Sequence, residues 1–231
     1  MENYVNYFTE IEEHFQRRRG TLLLLSTLDW ALIETWKEAG IPLEAVLRGI
    51  DASFDHYQRR PSKTRSVNSL AFCSQEVLAA AEDMKEAAVG ALPAERAEAG
   101  GLTPERIAQF LAASAAQLEK TALPEAARTL ATETAHSLHQ LAEAVGEKKV
   151  SLALEDLERR LTVLEEKLFA VLLSATPDEE ILAVRRDADR DLAPYRRKMP
   201  SSQIEQLHRQ YVHKRLLDRY AVPRLSLFYM E

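Results

Sequence analysis

The chain has 231 residues, 46% apolar and 29% charged, with 7 Gly, 9 Pro and a net charge of −6. That length suits one large helical domain or two small ones, and the dominance of Ala, Leu, Glu and Arg favours helix nearly throughout. The charge is uneven: residues 1–65 hold 9 Lys/Arg against 10 Asp/Glu, residues 66–184 hold 10 against 20, and residues 185–224 hold 11 against 5. Such a layout argues for different partners at the ends and the middle, or for ends that face the middle.

The start, MENYVNYFTEIEEHF, is acidic and lacks the basic-then-apolar order of a signal peptide. A first helix is expected over about 3–18, stopped by Arg17, Arg18, Arg19 and Gly20, because cations and a glycine suit a helix C-terminus. The apolar run Leu22–Leu25 is far too short to span a bilayer. Ser26 then reads as an N-cap with Asp29 in the first turn. The helix it opens runs to Ala39, with Leu28, Leu32, Thr35 and Trp36 on one face and Trp30 and Ile33 on another. Gly40 stops it and Pro42 restarts a helix whose apolar face is Ala45, Val46, Gly49, Ile50 and Phe54.

The segment QRRPSKTRS, 58–66, is a basic loop. A third helix is expected over Val67–Val89, its stripe Leu70, Cys73, Val77, Ala80 and Met84 at spacings of 3 and 4. Cys73 lies inside that stripe and reads as buried and inert. As the single cysteine of the chain it forms no intramolecular disulfide, which favours a reducing, cytoplasmic compartment. Three of the glycines fall in 90–103, the best linker. Thr103-Pro104-Glu105 then opens a helix.

Two longer helices follow. One runs from Pro124 to Val145 on Leu130, Thr134, Leu138, Leu141 and Val145. The other runs from Ser151 to Ser174 on Leu154, Leu157, Leu161, Leu164, Leu168 and Val171, a short heptad seam. An antiparallel hairpin is expected of them, with Glu155–Arg159 and Asp156–Arg160 as i,i+4 pairs. Thr176–Glu179 and Ser202–Glu205 read as capping boxes for two more helices. The apolar tail VPRLSLFYM should dock on its own domain. The fold class is therefore all-α: an N-terminal helical subdomain (1–89), a linker (90–103) and a C-terminal antiparallel bundle with an apolar tail (104–231).

Metal chemistry of the di-iron kind asks for two Glu-x-x-His motifs and two further glutamates inside a bundle. Glu133/His136, Glu205/His208, Glu119 and Glu166 match by type. Taking Thr134 as the centre of its stripe, Glu133 and His136 point away from the core. His136 and His139 stand one turn apart without a third ligand. No G-x-S-x-G, Walker A or G-x-G-x-x-G pattern occurs, so neither a cofactor nor a metal is expected.

Nucleic acid is the remaining signal. The hairpin 25–50 has the look of a helix-turn-helix, but the outward positions of its second helix, Glu44, Arg48, Asp51 and Asp55, are mainly acidic and oppose a polyanion. Cations lie elsewhere, and Arg59, Arg60, Lys63, Arg65, Arg196, Arg197, Lys198, Lys214 and Arg215 are the expected phosphate contacts. Neutralisation of the acidic middle of the chain is the competing use for them.

Phe15, the Leu25-Ser26 helix start, Ile33 and Trp36, then Val46, Ile50, Phe54 and the stretch NSLAFC form a pattern over residues 8–78. It resembles the helical domain of the DnaD family of bacterial replication-initiation proteins. That resemblance implies DNA-associated assembly or helicase recruitment. The expected function is a non-catalytic helical adaptor, DNA-associated in replication or its regulation, with a protein–protein adaptor free of nucleic acid as the alternative and a metal-dependent bundle enzyme behind both. The expected partners are another protein and DNA, with no membrane.

Overall fold

The computed structural model describes residues 7–21, 24–59, 67–88, 103–146 and 154–230. Among these every regular element is helical: α1 (Tyr7–Arg19), α2 (Thr27–Glu38), α3 (Leu43–Gln58), α4 (Ser74–Ala88), α5 (Pro104–Lys120), α6 (Glu125–Gly146), α7 (Leu154–Ala175), α8 (Asp178–Leu192) and α9 (Ser201–Arg219), with short 3-10 turns between or after them. The all-α expectation holds. No described helix is long and apolar enough to cross a membrane.

Two compact units emerge. The first takes the described residues up to Ala88 together with Asp187–Tyr211; the second takes those from Thr103 to Arg186 and from Val212 onward. The sequence reading placed all of 104–231 in one bundle, and the structure differs over 187–211. Leu192, Met199 and Leu207 of this stretch are buried, and polar contacts join it to α2 and α4. Gln206 and Gln210 of α9 both donate to the Glu38 carboxylate, at 2.7 and 2.5 Å, and Gln203 donates to Ser74 Oγ at 3.4 Å. The expected linker, 90–103, lies outside the described residues apart from Thr103.

In the first unit the Ser26–Asp29 capping box forms: Asp29 N donates to Ser26 Oγ, and Ser26 N donates to Asp29 Oδ2. The other carboxylate oxygen of Asp29 accepts from Ser69 Oγ and Leu70 N, both at 2.7 Å. A buried carboxylate is thus saturated by donors from two chain segments, which meets the cost of burying it. This also corrects the expected single helix Val67–Val89. Asp29 holds Ser69 and Leu70 in a 3-10 turn (Leu70–Phe72), and α4 starts only at Ser74.

Gly40 makes the turn of the α2–α3 hairpin at φ +69, a left-handed conformation that glycine adopts without strain. Ile41 N returns to Trp36 O at 2.9 Å, and Tyr7 Oη of α1 donates to Ile41 O at 3.0 Å. Tyr7, Ile11, Phe15, Leu32, Ile33, Trp36, Val46, Ile50, Leu70, Cys73 and Val77 are buried.

The core of the second unit joins Ile107, Leu111 and Leu118 of α5, Leu138 and Val145 of α6, and Leu157, Leu161, Leu168 and Leu172 of α7. Thr103 caps α5 as expected, its side chain accepting from Arg106 N. On α7 the buried stripe is Leu157, Leu161, Glu165, Leu168 and Leu172. Leu154, Leu164 and Val171, expected in the seam, are only half-buried. The tail docks, with Val222, Leu225, Leu227 and Met230 in the same core. Two carboxylates of α7 hold it: Glu165 accepts from Leu225 N at 2.6 Å and from Arg224, and Glu158 accepts from Leu227 N at 2.9 Å and Ser226 Oγ at 2.5 Å.

Neither of the two capping boxes read near α8 and α9 forms. Thr176 Oγ1 instead bonds back to Leu172 O and meets Tyr220 Oη, while the Pro177 carbonyl receives the first amides of α8. Ser202 lies already inside α9, whose ladder starts from the Pro200 carbonyl.

Candidate nucleic-acid interface

A cavity of about 210 Å³ lies in the first unit, where the last two turns of α3 meet the first turn of α4. Ser53 and His56 come from α3, Ser74, Gln75 and Glu76 from α4, and Lys198 from the turn before α9. Sequence order hides this meeting, because Lys198 is far from both helices along the chain.

Each group is placed by a local cause. The turn at Lys198 closes with Lys198 N and Met199 N donating to Tyr195 O, at 2.8 and 3.1 Å. Met199 is buried and anchors that turn, while Gln75 Nε2 reaches Lys198 O at 3.4 Å. His56 Nδ1 stands 3.0 Å from Glu76 Oε1. With Nδ1–H donating there, Nε2 accepts in the neutral ring and donates in the charged one. Ser53 Oγ donates to Gly49 O at 2.8 Å, so it offers lone pairs to the cavity. Ser74 Oγ accepts from Gln203 and keeps its proton free to donate. The α4 ladder begins with Val77 N to Cys73 O, so the amides of Ser74, Gln75 and Glu76 precede it at the positive end of the helix dipole.

The expected phosphate contacts divide as follows. Arg59 is the exposed C-cap residue of α3, one turn beyond His56. Arg60, Lys63 and Arg65 lie outside the described residues. Arg197 and Lys198 are exposed and make no ion pair among the described residues, whereas Arg196 is paired with Asp189 Oδ1 at 2.6 Å. Lys214 and Arg215 belong to the second unit, where Lys214 is paired with Asp218 at 2.5 Å and Arg215 is exposed. Arg59, Arg197 and Lys198 therefore share the first unit, and Lys214 and Arg215 belong to the second.

Other cations of the basic segment are neutralised within the chain: Arg190 by Asp187, Arg219 by Glu180 and Arg224 by Glu165. Arg18 of the run at the end of α1 pairs with Asp51 and Asp55 of α3, and His14 Nε2 reaches Asp51 at 2.9 Å. Two of the acids expected to repel a polyanion are thus partnered by α1, and Glu44 pairs with Arg48 at 3.3 Å.

Residues weighed as metal ligands or nucleophiles are placed as follows. Glu133, His136, Glu119, Glu166 and Glu205 are exposed. His139 meets Glu119 at 3.3 Å, and His208 stands 3.8 Å from Asp189. Cys73 is fully buried, and burial pushes its thiol up to about 12. Sequence reasoning missed Glu165. Its signal was a carboxylate at the i+4 step from Leu161, inside an apolar stripe.

A family model described as an uncharacterised protein matches residues 6–91, well under half of the chain. No curated protein and no solved structure matches it. The matched stretch contains residues 8–78, where the resemblance to the DnaD domain was drawn, and its description carries no activity.

Proposed function

We propose that this protein is a non-catalytic helical adaptor whose first unit holds the phosphate backbone of DNA without reading sequence. The meeting of Lys198 with His56 and the first turn of α4 carries the reading. It gathers an ammonium, an imidazole held by the Glu76 carboxylate, a hydroxyl proton and helix-start amides, with Arg59 and Arg197 adjoining in the chain. Those are the groups that contact phosphate oxygens. The pairing of Asp51 and Asp55 with α1 supports it by reducing the repulsion that α3 would otherwise exert. The resemblance to DnaD-type domains agrees in kind. Use in replication or its regulation is part of the same proposal.

The test is a fluorescence-anisotropy titration of the full chain with labelled duplex and single-stranded DNA over a range of salt. Binding should weaken steeply with salt, with a log–log slope of about −0.9 per phosphate contact on duplex. Arg59, Arg197 and Lys198 changed together to Ala should flatten the slope by up to about three contacts. Lys214 and Arg215 changed to Ala should leave it nearly as it was. No binding at low salt would end the proposal, and the adaptor without nucleic acid would replace it.

A further inference from the structure

The second unit carries an open groove of about 650 Å³ between α6 and α7. Its apolar floor is Leu141 and Ala144 of α6 with Val163 and Leu164 of α7. Leu141 and Leu164 pack on the core from its edge and remain half-exposed. Val163 is 43% exposed, one of four large apolar side chains in that state among the described residues.

The charged side chains lining this floor are both cationic. Arg159 and Arg160 line the groove. Arg160, Val163 and Lys167 follow at spacings of 3 and 4, so they share one face of α7. The sequence reading paired Asp156 with Arg160. In the structure Asp156 pairs with Arg159 instead. Arg160 and Lys167 are exposed and make no ion pair among the described residues. On the α6 side the lining is uncharged: Ser137, Gln140, Leu141 and Ala144. Ser137 to Ala144 is two helical turns, a rise of roughly 10 Å.

We propose that this groove docks an amphipathic helix of a partner protein, with two turns of apolar side chains on Leu141, Val163 and Leu164 and carboxylates against Arg160 and Lys167. An apolar floor beside unpaired cations matches helix-in-groove recognition, in which the floor gives affinity and the rim charges choose the partner. A nucleic acid would leave the apolar floor uncovered. The groove lies within the second unit, so the proposal stands apart from the DNA reading of the first.

Two synthetic peptides test it, both helical with Leu at i, i+3, i+4 and i+7, one with Glu and one with Lys at the flanking positions. Methyl NMR of the full chain, labelled at Leu and Val, follows Leu141, Val163 and Leu164. The Glu peptide should shift these methyls and bind at least about tenfold more tightly than the Lys peptide, the size of one favourable charge contact. Arg160→Glu should reverse that order, and Val163→Asp should abolish binding. Both residues are exposed, so thermal melts should show each variant folded. Equal binding of the two peptides, shifts confined to other methyls, or no binding would each overturn the proposal. So would a peptide-free dimer by sedimentation whose interface broadens the same methyls, because the occupant would then be a second copy of the chain.

Discussion

Gly49 of α3 lies so close to Val77 of α4 that a Cβ built on it would stand 2.4 Å from the Val77 Cα. The two helices meet backbone to backbone at this point. Ala in place of a mid-helix Gly ordinarily stabilises by about 0.5–1 kcal/mol. Here the sign should reverse. Gly49→Ala should destabilise by about 1–3 kcal/mol, the cost of overpacking, read as a lower urea midpoint. A raised midpoint would show that α3 and α4 can separate without loss. Because Ser53 and His56 lie on α3 and Ser74 to Glu76 on α4, the same variant should also widen the cavity between them.

Trp36 is among the largest fully buried side chains of the first unit. Trp36→Ala should cost about 3–5 kcal/mol in a denaturant melt. Its Nε1 is buried without an acceptor, so Trp36→Phe loses volume but no hydrogen bond and should cost far less. A cost under about 1 kcal/mol for the Ala variant would place Trp36 at a docking surface instead.

Glu165 and Arg224 form a shielded pair, Nε to Oε1 at 3.1 Å, with side chains 7% and 14% exposed. Glu165→Leu removes the carboxylate from Arg224 and from the Leu225 amide together. A loss of about 3–5 kcal/mol is expected, as for breaking a buried pair from one side. Glu165→Leu with Arg224→Leu should recover part of that loss. A double variant no better than the single one would mean that the Leu225 amide, not the charge, dominates.

The Cys73 thiol, raised from 9.0 to about 12 chiefly by burial, should stay unreactive toward a disulfide reagent in the native protein near pH 8 and react at once in denaturant. The folded state holds the protonated form more tightly than the unfolded chain. Its contribution to stability is therefore complete below about pH 9 and is lost as pH rises toward about 12. Rapid labelling under native conditions would refute the burial.

What the sequence made legible were features closed within a few residues. Ser26 with Asp29, Gly40 after α2 and Thr103 before Pro104 each carry their partners nearby, so local chemistry decides them. Features closed over distance were opaque. Asp29 reaches Ser69 and Leu70, some 40 residues on, and that bond breaks the expected third helix into a turn and α4. Thr176 and Ser202 carry good capping chemistry, yet the Pro177 and Pro200 carbonyls stand at the helix starts, with Thr176 Oγ1 turned back to Leu172 O and Ser202 already inside α9. At the candidate interface composition marked the cations, but only folding sets Lys198 beside His56.

Glu165 also has a history within the life of each molecule. During synthesis it leaves the ribosome 59 and 60 residues before the two groups that bind it, Arg224 and the Leu225 amide. Until then α7 presents a solvated carboxylate in the middle of its apolar stripe. That charge resists the premature clumping that a purely aliphatic face would invite, because burying it without its partners is costly. The segment after α9 then arrives with the donors that neutralise it, and closure of this part of the core waits for that segment. A residue that reads as a flaw in a heptad is thus the anchor for a segment made some 60 residues later.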